Sequence, residues 1–108
     1  MAEPALGEFE QLVLLAILRV GESAYAVTVA DEIGARTARV VSLGAVYKTL
    51  ERLEDKGLIA SWVGPPTAER GGRRKKHYRV LAAGQRALKQ GVADLRRMLS
   101  GLEPGLRL

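Results

Sequence analysis

The sequence predicts a mainly α fold with one small β-hairpin. Three observations carry this expectation. Three apolar stripes at helical spacing occupy the first half of the chain, two short alternating segments follow, and one long amphipathic stretch closes it. A chain of 108 residues makes one domain with a modest core. At that size, burying further surface in an oligomer stabilises appreciably, so self-association is expected. Hydrophobic residues at 47% and charged residues at 27% are ordinary for a soluble globular protein. No apolar run approaches the roughly 20 residues of a membrane span. The opening "MAEPALGEFE" has neither a basic segment nor a signal-type apolar core, so the cytoplasm is the expected compartment.

The first helix is read over Gly7 to Val20. Phe9, Leu12, Val13, Ala16, Ile17 and Val20 form one stripe, while Leu14, Leu15 and Leu18 put apolar surface on the other sides. Such a helix is buried nearly all round, either inside its own domain or under a partner. Gly21 breaks it. Ser23 is placed to cap a short second helix with Ala26, Val29, Ala30 and Ile33 on one face, and Gly34 is read as its end. After the brief polar connection "ARTARVV", Ser42 caps a third helix running to Lys56. Its inward stripe is read as Leu43, Val46, Tyr47, Leu50 and Leu53, and Gly57 takes the C-terminal cap position.

Two strands follow. "LIASWV" alternates Leu58, Ala60 and Trp62 against Ile59, Ser61 and Val63; "KHYRVL" sets inward Tyr78 and Val80 against outward His77 and Arg79. They bracket "GPPTAERGGRRKK", where five positive residues face only Glu69, so most of the chain's net charge of +5 sits in one loop. A loop of that charge attracts polyanions, because each phosphate neutralised releases condensed counterions. Three helices, a strand, a basic tip and a second strand make a winged helix-turn-helix, with the third helix in the recognition role. The last helix, from about Ala82 to Gly101, carries Leu88, Val92, Leu95, Leu99 and Leu102 in a short heptad-like seam. It is read as a dimer contact made together with Leu14, Leu15 and Leu18 of the first helix. Residues 1–81 thus form the DNA-binding domain, 82–102 the dimerisation helix, and 103–108 a frayed tail.

"AYAV", "SLGAVYKTLERLEDKGLI", "RGGRRKKHYRV" and "LAAGQRAL" together resemble the PadR family of transcriptional regulators, over nearly residues 7 to 100. The length resembles the short subfamily, in which one last helix serves dimerisation. The chain departs from that pattern at Ala24, Ala45 and Lys48, and at "VLAAG" where the last helix begins. The resemblance implies a dimeric, sequence-specific DNA-binding regulator of the repressor type, released by an effector that the sequence does not identify.

Each expected contact has a physical reason. The first turn of a recognition helix enters the major groove, where Gly44 and Ala45 allow close approach, and Ser42, Lys48 and Thr49 reach base edges or phosphates. The ring of Tyr47 is expected to pack inward, with its hydroxyl reaching a phosphate as the resemblance implies. Arg52, one turn on, suits the backbone. Arg70, Arg73, Arg74, Lys75 and Lys76 of the wing are expected beside phosphates or the minor groove, with His77 as a further DNA-facing polar residue.

Enzymatic chemistry finds no support. There is one histidine and no cysteine, which leaves no metal cluster and no catalytic pair. The carboxylate pairs Asp31 with Glu32 and Glu54 with Asp55 are sequence neighbours, not one helix face, and no glycine-rich phosphate motif follows a strand. No metal or cofactor is expected, and the partners are double-stranded DNA and a second copy. The alternative is a winged-helix module that binds an acidic protein, which would more often carry exposed apolar anchors on its wing. Phe9 and Tyr25 could line an effector cavity, although core packing is the simpler role for residues so spaced.

Overall fold

The computed structural model describes residues 5–65 and 74–106. Helix α1 (Glu8–Val20) is followed by a 3₁₀ turn at Gly21–Ser23, then α2 (Ala26–Arg36) and α3 (Leu43–Asp55). An antiparallel hairpin of β1 (Ile59–Val63) and β2 (Lys76–Val80) leads to α4 (Ala82–Leu99) and a short α5 (Glu103–Leu106). This is the winged arrangement expected, mostly helical with one two-stranded sheet.

The core explains the order. Val13, Leu14 and Ile17 of α1, Val29 and Ile33 of α2, and Val46, Leu50 and Leu53 of α3 are buried together against Ile59, Tyr78 and Leu88. Register puts Ile59 opposite Val80 and Ser61 opposite Tyr78, so this face of the hairpin closes the helical core. Two backbone bonds fasten the hairpin at its root: Tyr78 N–H donates to the Ala24 carbonyl at 2.8 Å, and Leu81 N–H donates to the Leu58 carbonyl at 2.9 Å. Helix α3 ends in a Schellman turn. Gly57 adopts φ 74°, its N–H donates to the Glu54 carbonyl at 2.9 Å, and the Leu58 N–H donates to the Leu53 carbonyl at 3.0 Å.

Several expectations are corrected. Gly34 does not end α2: no Cβ clash or positive φ marks it, and the helix continues to Arg36, which pairs with Glu32 at 2.6 Å. Ser23 lies in the 3₁₀ turn and caps nothing; the N-cap is Tyr25, whose N–H donates to Thr28 Oγ1 at 3.0 Å. On α3, Leu43 and Tyr47 stand exposed, while Thr49 is buried between Val46 and Leu53 with Leu50. The inward face is therefore centred on 46, 49, 50 and 53. Leu14 and Leu88 are consumed by the domain's own core and are not surface for a partner. Gly101, at φ 84°, follows the end of α4, and Glu103–Leu106 coil into a helical turn where a frayed tail was expected.

Helix α4 only half belongs to the body. Gly84 is buried against the backbone of Leu58, and Leu88 and Val92 join the core, but residues 94–98 are all exposed. The radius of gyration is 15.6 Å and the longest extent 52 Å, against about 13 Å for the radius of a compact chain this size.

Candidate nucleic-acid interface

Helix α3 presents a built outer face. Ser42, in extended conformation, caps it by accepting the Ala45 N–H at 3.1 Å. One donor is thereby satisfied, and no acidic residue occupies the first turn. Carboxylates are favoured at that end of a helix, so their absence leaves its positive pole open to an anion. Gly44, Ala45, Tyr47 and Lys48 are exposed beside Ser42, and among the described residues Lys48 has no carboxylate partner. The acidic residues of the outer face, Glu51 and Asp55, come later along the helix. Thr49 is absent from this face. Its side chain is 2% exposed, and its hydroxyl accepts a hydrogen bond from Arg52 Nη2 at 3.3 Å. Arg52 itself is exposed.

The wing residues divide. Arg70 and Arg73 lie outside the described residues. Arg74 is exposed. Lys75 places its ammonium 4.3 Å from the Tyr25 ring centre. Lys76 pairs with Glu54 Oε1 at 3.4 Å, and Glu54 also accepts the Ser61 hydroxyl. Chiefly through the Ser61 hydroxyl, opposed by partial burial and aided by Lys76, the Glu54 carboxyl is held below its ordinary range. The charge of Lys76 is therefore partly answered within the protein.

His77 is not a free polar residue. Its ring stacks on Trp62 with centres 5.4 Å apart, meets Tyr25 edge-on at 5.6 Å, and holds Nδ1 3.1 Å from the Glu22 carbonyl oxygen. That contact requires Nδ1 to carry the proton. His77 thus docks the hairpin on the turn before α2, and Tyr25 belongs to this cluster.

Three features escaped the reading of the sequence. Glu10, buried in the first turn of α1, binds Lys56 Nζ at 2.7 Å and accepts the Gly7 N–H at 2.8 Å, tying α1 to the end of α3. Burial opposes its charge, but Lys56 and the Gly7 N–H outweigh burial and hold its carboxyl below the ordinary value of 4.5. Val40, in the connector before α3, is 102% exposed. A cleft of about 730 Å³ lies between the start of α1 and α4, lined by Leu6, Gln11, Gln90, Gly91, Leu95 and Met98 among others. Phe9 lines a smaller groove beside Ser42. A stripe of apolar residues signals burial, whereas nothing in a sequence marks a lone valine as uncovered.

Of the surface expected for dimerisation, Leu15 at 40%, Leu18 at 46% and Leu95 at 55% are exposed, and Val92 and Leu99 are half-buried. Among the described residues no group of three or more His, Asp or Glu side chains could hold a metal ion, and no helix is long and apolar enough to cross a membrane.

Comparison with known proteins yields a family. Residues 14–90 match the model of the transcriptional regulator PadR-like family. Among solved structures, a PadR family transcription regulator from Clostridium difficile R20291 superposes with TM-score 0.71 at 22% identity, over 91% of this chain and 98% of its own. A PadR family regulator from Eggerthella lenta DSM 2243 gives TM-score 0.69 at 25% identity, over 92% and 86%. BpsR of Bordetella bronchiseptica, described as regulated in DNA binding by 6-hydroxynicotinic acid, gives TM-score 0.68 at 19% identity, over 99% and 75%. The comparison with curated proteins found no match.

Proposed function

The chain belongs to the PadR-like family of transcriptional regulators, and from that premise we propose that it is a homodimeric repressor whose α3 reads a DNA operator. The observation that carries this is the outer face of α3. It opens with an acid-free first turn and the small residues Gly44 and Ala45, with Ser42 and Lys48 alongside. In the major groove, this turn approaches the base edges closely, Lys48 reaches bases or phosphate, and Tyr47 and Arg52 hold the backbone. Arg70, Arg73, Arg74 and Lys75 add phosphate contacts from the wing; Lys76 contributes less, since Glu54 competes for it.

Dimerisation follows from the half of α4 that stands off the body. Leu95 and Met98 there, and Leu102 just beyond its end, are more than half exposed, and covering what remains open of each is worth roughly 1–2 kcal/mol. Val92, Leu99, and Leu15 and Leu18 of α1 extend the contact. A twofold pair presents two copies of α3 to half-sites about one helical turn, roughly 34 Å, apart. A small-molecule effector entering the cleft between α1 and α4 would act on that pairing; the Bordetella neighbour is described as regulated in its DNA binding by a small molecule. Such a regulator works in the cytoplasm and needs no cofactor.

The test is titration with duplex DNA at two salt concentrations. Binding that weakens steeply with salt, by about one unit of log–log slope per phosphate engaged, is the expected result. Absence of binding at low salt, or binding insensitive to salt, refutes the proposal.

A further inference from the structure

Val40 carries an inference that rests on the DNA-binding reading and sharpens it. An aliphatic side chain wholly in water contributes nothing to the fold by burial, yet this one is held in place from both sides. Thr37 Oγ1 donates to the Ile33 carbonyl at 2.7 Å and accepts the Arg39 N–H at 3.2 Å. The Arg39 guanidinium pairs with Glu8 and lies 6.0 Å from the centre of the Phe9 ring. On the other side Val41 packs against the core. Val40 is thus presented by a pinned segment, and little further entropy is lost when something covers it.

What covers it is indicated by its surroundings. Val40, Ser42 and Ala45 line one shallow groove of about 380 Å³ at the start of α3. That helix begins without a carboxylate, Lys48 follows one turn later, no acidic residue lines the groove, and Glu8, which reaches Arg39 of its lining, is answered by it. The chain carries a net charge of +5. An anionic surface fits this setting, and the apolar feature that duplex DNA displays in its major groove is the thymine 5-methyl group. We propose that Val40, with the methyl of Ala45 beside it, packs on thymine 5-methyl groups and makes the protein select thymine next to the bases faced by α3. Val40 is a specificity residue outside the basic set, and it supplies discrimination without charge.

The experiment first selects a preferred duplex from a random pool with the full chain. Each thymine is then replaced singly by deoxyuridine, which removes only the 5-methyl group. The wild-type protein should lose about fourfold in affinity at one or two positions of each half-site, the worth of roughly one buried carbon. Val40→Ala should bind the unmodified duplex more weakly by a similar factor and lose most of the deoxyuridine penalty at those positions, with its salt slope retained. Being fully exposed, Val40 can be changed without loss of the fold. Wild-type tolerance of every replacement overturns the inference, as does a Val40→Ala variant that keeps the full penalty. A Val40→Ala change in oligomeric mass without a change in methyl sensitivity also overturns it, since Val40 would then serve a protein contact. Failure to select any duplex, or binding without salt dependence, removes the DNA-binding reading itself and is distinct from a negative methyl test on a bound operator.

Discussion

Replacing Gly84 by alanine tests the joint between α4 and the wing. An ideal Cβ there would lie 2.3 Å from the Leu58 carbonyl oxygen, 3.2 Å from its carbon and 2.8 Å from Val80 Cγ1. The oxygen is backbone and is already accepting the Leu81 N–H at 2.9 Å, so it cannot yield without breaking that bond. Forced overpacking costs about 1–3 kcal/mol, and a weakened buried hydrogen bond adds about 1 kcal/mol. Alanine's better helix propensity returns at most about 1 kcal/mol. The net is a loss of about 1–3 kcal/mol, or roughly 5–15 °C in melting temperature for a domain near 100 residues. Circular dichroism at equal protein concentration measures it, because melting of an associating protein depends on concentration. Gly34→Ala is the matched control: it is helical, with nothing within 4 Å of its Cβ, and should stabilise by about 0.5–1 kcal/mol. Gly84→Ala melting at or above the wild-type temperature would refute the packing account.

Three further outcomes are expected. Glu10→Gln should flatten the acid limb of stability: the folded carboxyl of Glu10 lies below its ordinary 4.5, so its contribution is present above that value and is lost as pH falls through the folded pKa. Urea unfolding of both proteins between pH 3 and pH 7, at roughly unit spacing, checks this, and equal pH profiles would count against it. Lys48→Ala should weaken DNA binding and reduce the salt slope by about 1 while leaving the melting temperature unchanged, as read by fluorescence anisotropy and thermal denaturation; an unchanged slope removes Lys48 from the phosphate contacts. Leu95→Glu puts a charge into the proposed dimer contact at a site exposed in the protomer. Sedimentation should show monomers that remain folded, and an undiminished dimer would place the contact elsewhere.

Much of this fold was legible because periodicity reports burial. Val46, Leu50 and Leu53 recur at helical spacing, and Ser42 and Gly57 supply the chemistry of its two ends. The misreadings have physical causes as well. Glycine inside a helix costs only about 1 kcal/mol, which the Glu32–Arg36 pair and the continuing backbone ladder offset at Gly34. A polar threonine suits an outer helix face, yet Arg52 satisfies the Thr49 hydroxyl and frees the position for the core. Leu14 and Leu88 were apolar, as an interface would need, but composition does not say whether one copy or two will cover a side chain. His77 is the same lesson reversed: a polar residue on an outward strand position is held by two aromatic rings and a carbonyl brought from distant sequence.

That aromatic stack also makes the molecule its own optical probe. Trp62 is the only tryptophan in the chain, and it lies face to face with the imidazole that clasps the hairpin to the turn before α2. Its emission therefore carries information from one place, the pairing of the two wing strands at Trp62 and His77. Separation of the two strands alters that signal with no dye attached.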